Sequence, residues 1–167
     1  KYKKVVIKPL NLMGGKEISL LSLKDKDLLT SIKTMTNNSQ KFVVIQKYLK
    51  QIKDGDTRIL MTNGIVHENV LVRYPPKNDF RANLSYGGKF KVQKINHKHL
   101  SHLKDIAIYL KNNRIYFAGV DMIGDYITEI NITSPTGIQQ IELKDKNLSS
   151  SIANQFIKIV EQYYDDK

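Results

Sequence analysis

The 167-residue chain contains no cysteine, so disulfide cross-links and thiolate chemistry are both excluded. Long apolar runs are missing as well. None approaches the roughly 20 residues of a membrane-spanning helix, and no signal-peptide pattern opens the chain. A cytoplasmic location with no membrane partner is the expectation. Acidic residues are scarce beside basic ones, 16 against 27, for a formal net charge of +11. Such a charge marks a nucleic-acid binder when it is gathered into a patch or stripe. Here the lysines are scattered through the whole chain, many beside Asn and Ile, so nucleic acid is not the expected main partner. Solubility accounts for most of them, and holding small anions is a second use. Repeats and internal linkers are absent too. The length suffices for one domain over 1–167 with a real core. The chain begins with Lys1 rather than methionine and reaches a strand almost at once, which leads us to expect a piece of something longer.

What is present is organised around Gly119–Gly137. Two apolar, β-branched runs, Ile115–Ile123 and Tyr126–Thr133, flank Gly124-Asp125, which signals a hairpin. Glu129 and Asn131 are two apart and share a strand face, while Ile130 and Ile132 point to the other, into the core. Asp121 joins Glu129 only if the turn has an odd length or a bulge intervenes. We therefore predict such an irregularity, with glycine supplying the unusual backbone angle. Asp121, Glu129 and Asn131 are then hard oxygen donors suited to Mg²⁺. A surface hairpin with a plain polar face is the competing reading.

Elsewhere the pattern predicts a strand at Val5–Lys8, a loop holding Gly14 and Gly15, and a second strand at Glu17–Leu23. Strand, glycine loop, strand suits a flap over phosphates, with Lys8 at its base; an ordinary turn is the alternative. Asp25–Met35 has a helical period, with Asp25 or Asp27 near its N-terminus. Lys41–Leu49 reads as a strand. Asn63-Gly64 marks a two-residue hairpin between Arg58–Thr62 and Ile65–Arg73. A simple register leaves Arg58 beside Asn69, so contact between Arg58 and Arg73 stays open. Pro75–Val92 is a long aperiodic stretch of the functional-loop kind. Asn96–Asn113 reads as a helix, and its His97, His99 and His102 as a solvated start rather than a metal site. Ile138–Leu143 reads as a connector. Ser149–Tyr163 is a closing helix with Ile152, Phe156, Ile159 and Val160 facing the core. The fold class expected is α+β, a mostly antiparallel sheet with packed helices.

The run D-x-I-G-D-x-x-T-E-I-N-x-T-S-P-T-G from Asp121 to Gly137 closely resembles the signature of bacterial glutathione synthetases, members of the ATP-grasp superfamily. K-P-L-N-L-M-G-G from Lys8 to Gly15 is similar to the family's glycine-rich loop, with Leu12 standing where glycine is usual. Arg73, Arg81, Asn83, Leu84, Gly87 and Gly88 match the family's lid. The resemblance covers nearly the whole chain and implies the C-terminal part of an ATP-grasp module, without the upstream substrate domain and first grasp subdomain.

That likeness implies ATP-dependent ligation of γ-glutamylcysteine to glycine through an acyl phosphate, with Mg²⁺ or Mn²⁺ held by Asp121, Glu129 and Asn131. It also implies nucleotide contacts at Lys8, Gly14, Gly15, Gln46, Lys47, Tyr48, Leu49 and Asp56. Catalytic arginines would be Arg58, Arg73 and Arg81, and small-substrate contacts Asn83, Gly87, Gly88, Ser134 and Pro135. Such chemistry needs positioning and charge neutralisation rather than a protein nucleophile, which fits a chain with no cysteine. An upstream domain or separate chain would complete the site, and the intact protein is expected to be a homo-oligomer. A catalytically incomplete ATP-binding half-module, another ATP-grasp carboxylate–amine ligase and a basic module without ATP chemistry are the rival readings.

Overall fold

The computed structural model describes residues 3–10, 12 and 14–165, and the chain divides into two compact units, Lys1–Lys50 and Gln51–Lys167. In the first, β1 (Lys4–Pro9), β2 (Ser19–Ser22) and β3 (Val43–Lys47) form an antiparallel sheet in the order β2-β1-β3. Central β1 buries Ile7 completely. The glycine loop between β1 and β2 includes Asn11 and Met13, which lie outside the described residues. Helix α1 (Leu28–Met35) starts later than the pattern suggests and has no buried residue. Asp25 instead accepts a hydrogen bond from the Ser22 backbone N–H at 2.7 Å, closing the turn before the helix. The β3 stretch is an edge strand, with Phe42 just before it and Ile45 within it both exposed.

The second unit is built on an antiparallel sheet ordered β7-β6-β4-β8-β9: β4 (Asp56–Thr62), β6 (Asn69–Tyr74), β7 (Lys89–Lys94), β8 (Phe117–Ile123) and β9 (Tyr126–Asn131). Short β5 (Ile65–Val66) pairs with the end of β4 through the Asn63-Gly64 turn. Loop 75–88 is shorter than the aperiodic stretch suggests, because Lys89–Lys94 pairs with β6.

Period-two alternation divides this sheet into two faces. Ile59, Met61, Val70, Val72, Val120 and Met122 pack with Leu103, Ala107 and Leu110 of α2 (His97–Asn112). The start of α2 is capped by Asn96, whose side chain accepts from the Lys98 backbone N–H. On the other face, Leu60, Leu71 and Val92 pack with Ile141 of α3 (Ile138–Ile141) and with Leu148 and Ile152 of α4 (Leu148–Asp165). The stretch expected to be a connector is thus a helical turn that buries Ile141 completely.

Two expectations about the core are corrected. Ile130 is 44% exposed and Ile132 52% exposed. β9 is the outermost strand, and none of its side chains belongs to the cluster beneath α2. In α4, Ile152 is buried but Phe156, Ile157 and Val160 are exposed and Ile159 is only half-buried. The first turns of that helix pack on the sheet, while beyond them Phe156 keeps an edge contact with Phe117.

Chemical unfolding of this chain checks the distribution. Leu60→Ala, at a position with no exposure, should cost about 2–5 kcal/mol. Ile130→Ala, on the open face of β9, should cost less than about 1 kcal/mol.

Candidate functional site

Positions 56, 58, 71, 73, 119 and 121 fall on the same sheet face as Leu60, so the apolar floor continues directly into charged residues. The hairpin irregularity expected from the sequence is present. Gly124-Asp125 forms a two-residue turn with Gly124 at φ 59°, and Ile123 pairs with Tyr126. A bulge at Thr128 then brings Asp121 opposite Glu129 and Gly119 opposite Asn131. Asp121, Glu129 and Asn131 therefore share a face. The arginine question is resolved by a second irregularity. β4–β5 pairs sum to 127, but β4–β6 pairs sum to 129, as in Asp56↔Arg73. The two extra positions are His67 and Glu68, which place Arg73 beside Asp56 and one strand from Arg58.

Both arginines converge on Asp121. Arg58 Nε donates to Asp121 Oδ1 at 2.5 Å and its Nη2 to Oδ2 at 2.8 Å. Arg73 Nη2 lies 3.0 Å from Asp121 Oδ1 and donates to Asp56 Oδ2 at 2.6 Å. Arg58, Arg73 and Asp121 are each 5–7% exposed, so the charges are buried and depend on one another. Arg58 Nη1 also donates to the Thr136 carbonyl at 3.0 Å. With its amide oriented to satisfy both neighbours, Asn131 donates to Glu129 at 2.8 Å and accepts from Arg58 at 3.2 Å.

Burial, followed by the neighbouring Asp121 charge, pushes the Asp56 carboxyl up to about 7 against the pull of Arg73 and Arg58. Burial lowers Arg73, but Asp121 and Asp56 outweigh it and hold the guanidinium above its ordinary value. Asp56 Oδ1 and Arg73 Nε are buried without a hydrogen-bond partner. They offer an acceptor and a donor to a polar ligand.

Gly119 underlies the cluster. A Cβ there would come within 2.8 Å of Pro135 Cβ and 2.9 Å of Arg58 Cδ. Sequence reasoning did not assign this glycine a role, although a glycine inside an apolar strand signals a close approach. Pro135 is buried, whereas Ser134 is exposed. The Asp56–Arg73 pair was also missed, because neither residue type nor spacing reveals the irregularity at 67–68.

The other sequence-derived positions are not part of this ion cluster. In loop 75–88, Arg81 makes three side-chain hydrogen bonds to Asp79 and lies 3.6 Å over the Tyr86 ring. Arg81 holds Asp79 below the usual carboxylate range. Asn83 precedes the short 3-10 turn Leu84–Tyr86, and Gly87 follows it. Gly88 packs against the Ala82 and Tyr74 carbonyls. In the first unit, Lys8 and Gln46 share a sheet face through the pairs Lys8↔Val44 and Val6↔Gln46. Lys47 pairs with Val5, the Tyr48 N–H bonds the Lys4 carbonyl, and Leu49 follows half-buried. Gly14 and Gly15 both have positive φ. The helix-start histidines form no metal cluster, since no group of three or more His, Cys, Asp or Glu is placed to hold an ion among the described residues. Asp121, Glu129 and the Asn131 amide nonetheless make a hard-oxygen set, with Glu129 exposed, whose chemistry fits Mg²⁺ or Mn²⁺.

Comparison with solved structures identifies the architecture. The D-alanine–D-alanine ligase of Bacillus anthracis, solved with ATP, matches 97% of this chain and 56% of its own, with a TM-score of 0.61 at 16% identity. The ATP-grasp ligase PsnB, solved with a minimal precursor, matches 85% of this chain and 42% of its own, with a TM-score of 0.55 at 19% identity. The fold is thus that of ATP-grasp ligases. Residues 1–146 match the model of the prokaryotic glutathione synthetase ATP-grasp domain, and the chain belongs to that family. The glutathione synthetase of Coxiella burnetii is 38% identical over 162 residues, which cover 97% of this chain and 50% of the relative. The chain spans about half the length of the curated relatives it matches.

Asp56 makes stability depend on pH. Its folded value lies above the ordinary 3.8, so the folded state holds the extra proton between the two values. Its contribution is complete below pH 4 and is lost as pH rises through about 7. His67, lowered by burial, contributes in the opposite sense below pH 6.5. Urea unfolding between pH 5 and 8 should therefore show a difference between the native chain and Asp56→Asn, with the native chain losing more stability as pH rises. Gly119→Ala should cost about 1–3 kcal/mol through overpacking against Arg58 and Pro135, read in the same unfolding assay.

Proposed function

We propose that this chain is the C-terminal part of the ATP-grasp module of a glutathione synthetase, which joins γ-glutamylcysteine to glycine at the expense of ATP. The observation that carries the reading is the convergence of Asp121, Glu129, Asn131, Arg58 and Arg73 on one sheet face. Oxygen donors for a divalent cation lie there beside permanent positive charges for phosphate and carboxylate. Family membership supports it.

In this reading the substrate carboxylate attacks the γ-phosphorus of ATP, and the bond to the ADP oxygen breaks. Glycine's amine then attacks the acyl carbon, phosphate leaves, and the amine proton passes to solvent. The residues bind, orient and neutralise charge throughout. Arg58 and Arg73 offset charge on the transferred phosphoryl group and the substrate carboxylate. Asp121, Glu129 and Asn131 hold Mg²⁺, or Mn²⁺ in its place. The cation, when bound, screens the phosphate oxygens from one another and from the attacking carboxylate.

We assign nucleotide contacts to Lys8, Gly14, Gly15, Gln46, Lys47, Tyr48, Leu49 and Asp56, the last offering its partnerless Oδ1 to a hydroxyl. Arg81, Asn83, Gly87, Gly88, Ser134 and Pro135 are assigned to the small substrates, and loop 75–88 to excluding water from the acyl phosphate. The rest of the substrate site is assigned to protein equivalent to the unmatched half of the relatives. The intact enzyme is read as a cytoplasmic homo-oligomer.

Calorimetric titration with ADP, with and without Mg²⁺, tests the reading. Binding should strengthen at least about tenfold with Mg²⁺, and Glu129→Ala should remove that gain. In the intact protein Glu129→Ala should abolish ligase turnover; near-normal turnover in that variant would sink the metal assignment.

A further inference from the structure

Arg58 does more than lie near the donor set. Its Nε and Nη2 take both oxygens of Asp121, Nη2 also reaches the Asn131 amide oxygen at 3.2 Å, and Nη1 is held by the Thr136 carbonyl. Its guanidinium is therefore seated on two of the three side chains assigned to the cation. Arg73 takes a further position on Asp121 Oδ1 at 3.0 Å. A divalent cation binds carboxylate oxygen at roughly 2.0–2.1 Å, inside the shell these N–H groups fill.

We propose that Arg58 is the resident counter-cation of Asp121 and Asn131, and that a divalent cation takes those donors by displacing its guanidinium. The location of Arg58 thus reports whether the cation is bound. While Arg58 is seated, it neutralises Asp121 and leaves no bare carboxylate buried. Displaced, it keeps its charge, since guanidinium does not deprotonate, and it needs a new anion. The phosphoryl or carboxylate group of an incoming reactant is the anion that arrives with the cation. Cation loading and Arg58's engagement with the reactant become one event. The side chain has room to pivot at its stem because Gly119 presents no Cβ to Arg58 Cδ. Asp121 would not be stranded in the exchange, because Arg73 still touches it.

This inference rests on the assignment of Asp121, Glu129 and Asn131 as cation donors, and the test separates the two. Mn²⁺ is titrated into the chain by electron paramagnetic resonance, alone and with ADP, for the native protein, Arg58→Met and Glu129→Ala. A residue that merely scaffolds Asp121 would weaken Mn²⁺ binding when removed. A competitor would strengthen it, and Arg58→Met is expected to tighten the Mn²⁺ Kd by about tenfold. If Mn²⁺ binding is lost in Glu129→Ala but is unchanged or weaker in Arg58→Met, the counter-cation role is overturned and the donor assignment stands. If Mn²⁺ binding is absent or indifferent to Glu129→Ala, both fall.

A second readout needs no variant of Arg58 to fold well. The Arg58 Nε–H resonance, identified through its ion-paired, slowly exchanging signal, is followed while Mg²⁺ is added with ADP. It should shift and lose its exchange protection in step with Glu129-dependent binding. A signal that stays protected while the cation binds overturns the proposal.

Discussion

The ion cluster around Asp121 is the constraint on which the second unit depends. Three side chains of unlike charge, each almost wholly buried, can coexist there only with their hydrogen bonds made and their charges opposed. That requires three strands to be in one register: β4 supplies Arg58, β6 supplies Arg73 and β8 supplies Asp121. A one-residue slip in any of them would turn its charge to the α2 face, among Ile59, Val72 and Val120. The apolar packing on that face and the charged site on the other therefore enforce the same alignment.

The irregularities serve this alignment. The two extra residues at His67–Glu68 lead the chain from the tight Asn63-Gly64 hairpin into a longer pairing with Asp56 opposite Arg73. The bulge at Thr128 does the same for β9, turning Glu129 and Asn131 to Asp121's side after an even-numbered turn. Such insertions locally break the ladder. What they achieve here is convergence of side chains that regular pairing would scatter between two faces.

Arg58 and Arg81 illustrate two ways of holding an arginine. Arg58 is held within a buried cluster by residues from β8, β9 and the turn before α3. Arg81 is held locally, by Asp79 two positions earlier and by the Tyr86 ring within the same loop. Contacts this local, between half-buried side chains of one loop, tie Arg81 to no other element, which suits an arginine carried on a loop assigned to close over reactants.

Much of this was legible in the sequence. Apolar runs marked β4, β6 and β8, Asn63-Gly64 marked its hairpin, and the Asp121–Gly137 run carried the family signature. The need for an odd-length turn or a bulge followed from arithmetic, since a two-residue turn alone sets Asp121 and Glu129 on opposite faces; the structure takes the bulge. Where apolar residues would be buried was less legible. Ile130, Ile132 and Val160 carry the pattern of core residues, yet they lie on an edge strand and beyond the packed start of a helix. Amphipathic spacing shows which side of an element is apolar, not whether another element covers it. The contact of Arg58 and Arg73 through Asp121 was likewise decided only by tertiary structure. Local spacing sets which residues share a face, but charges from three strands meet only once the whole sheet has chosen its register.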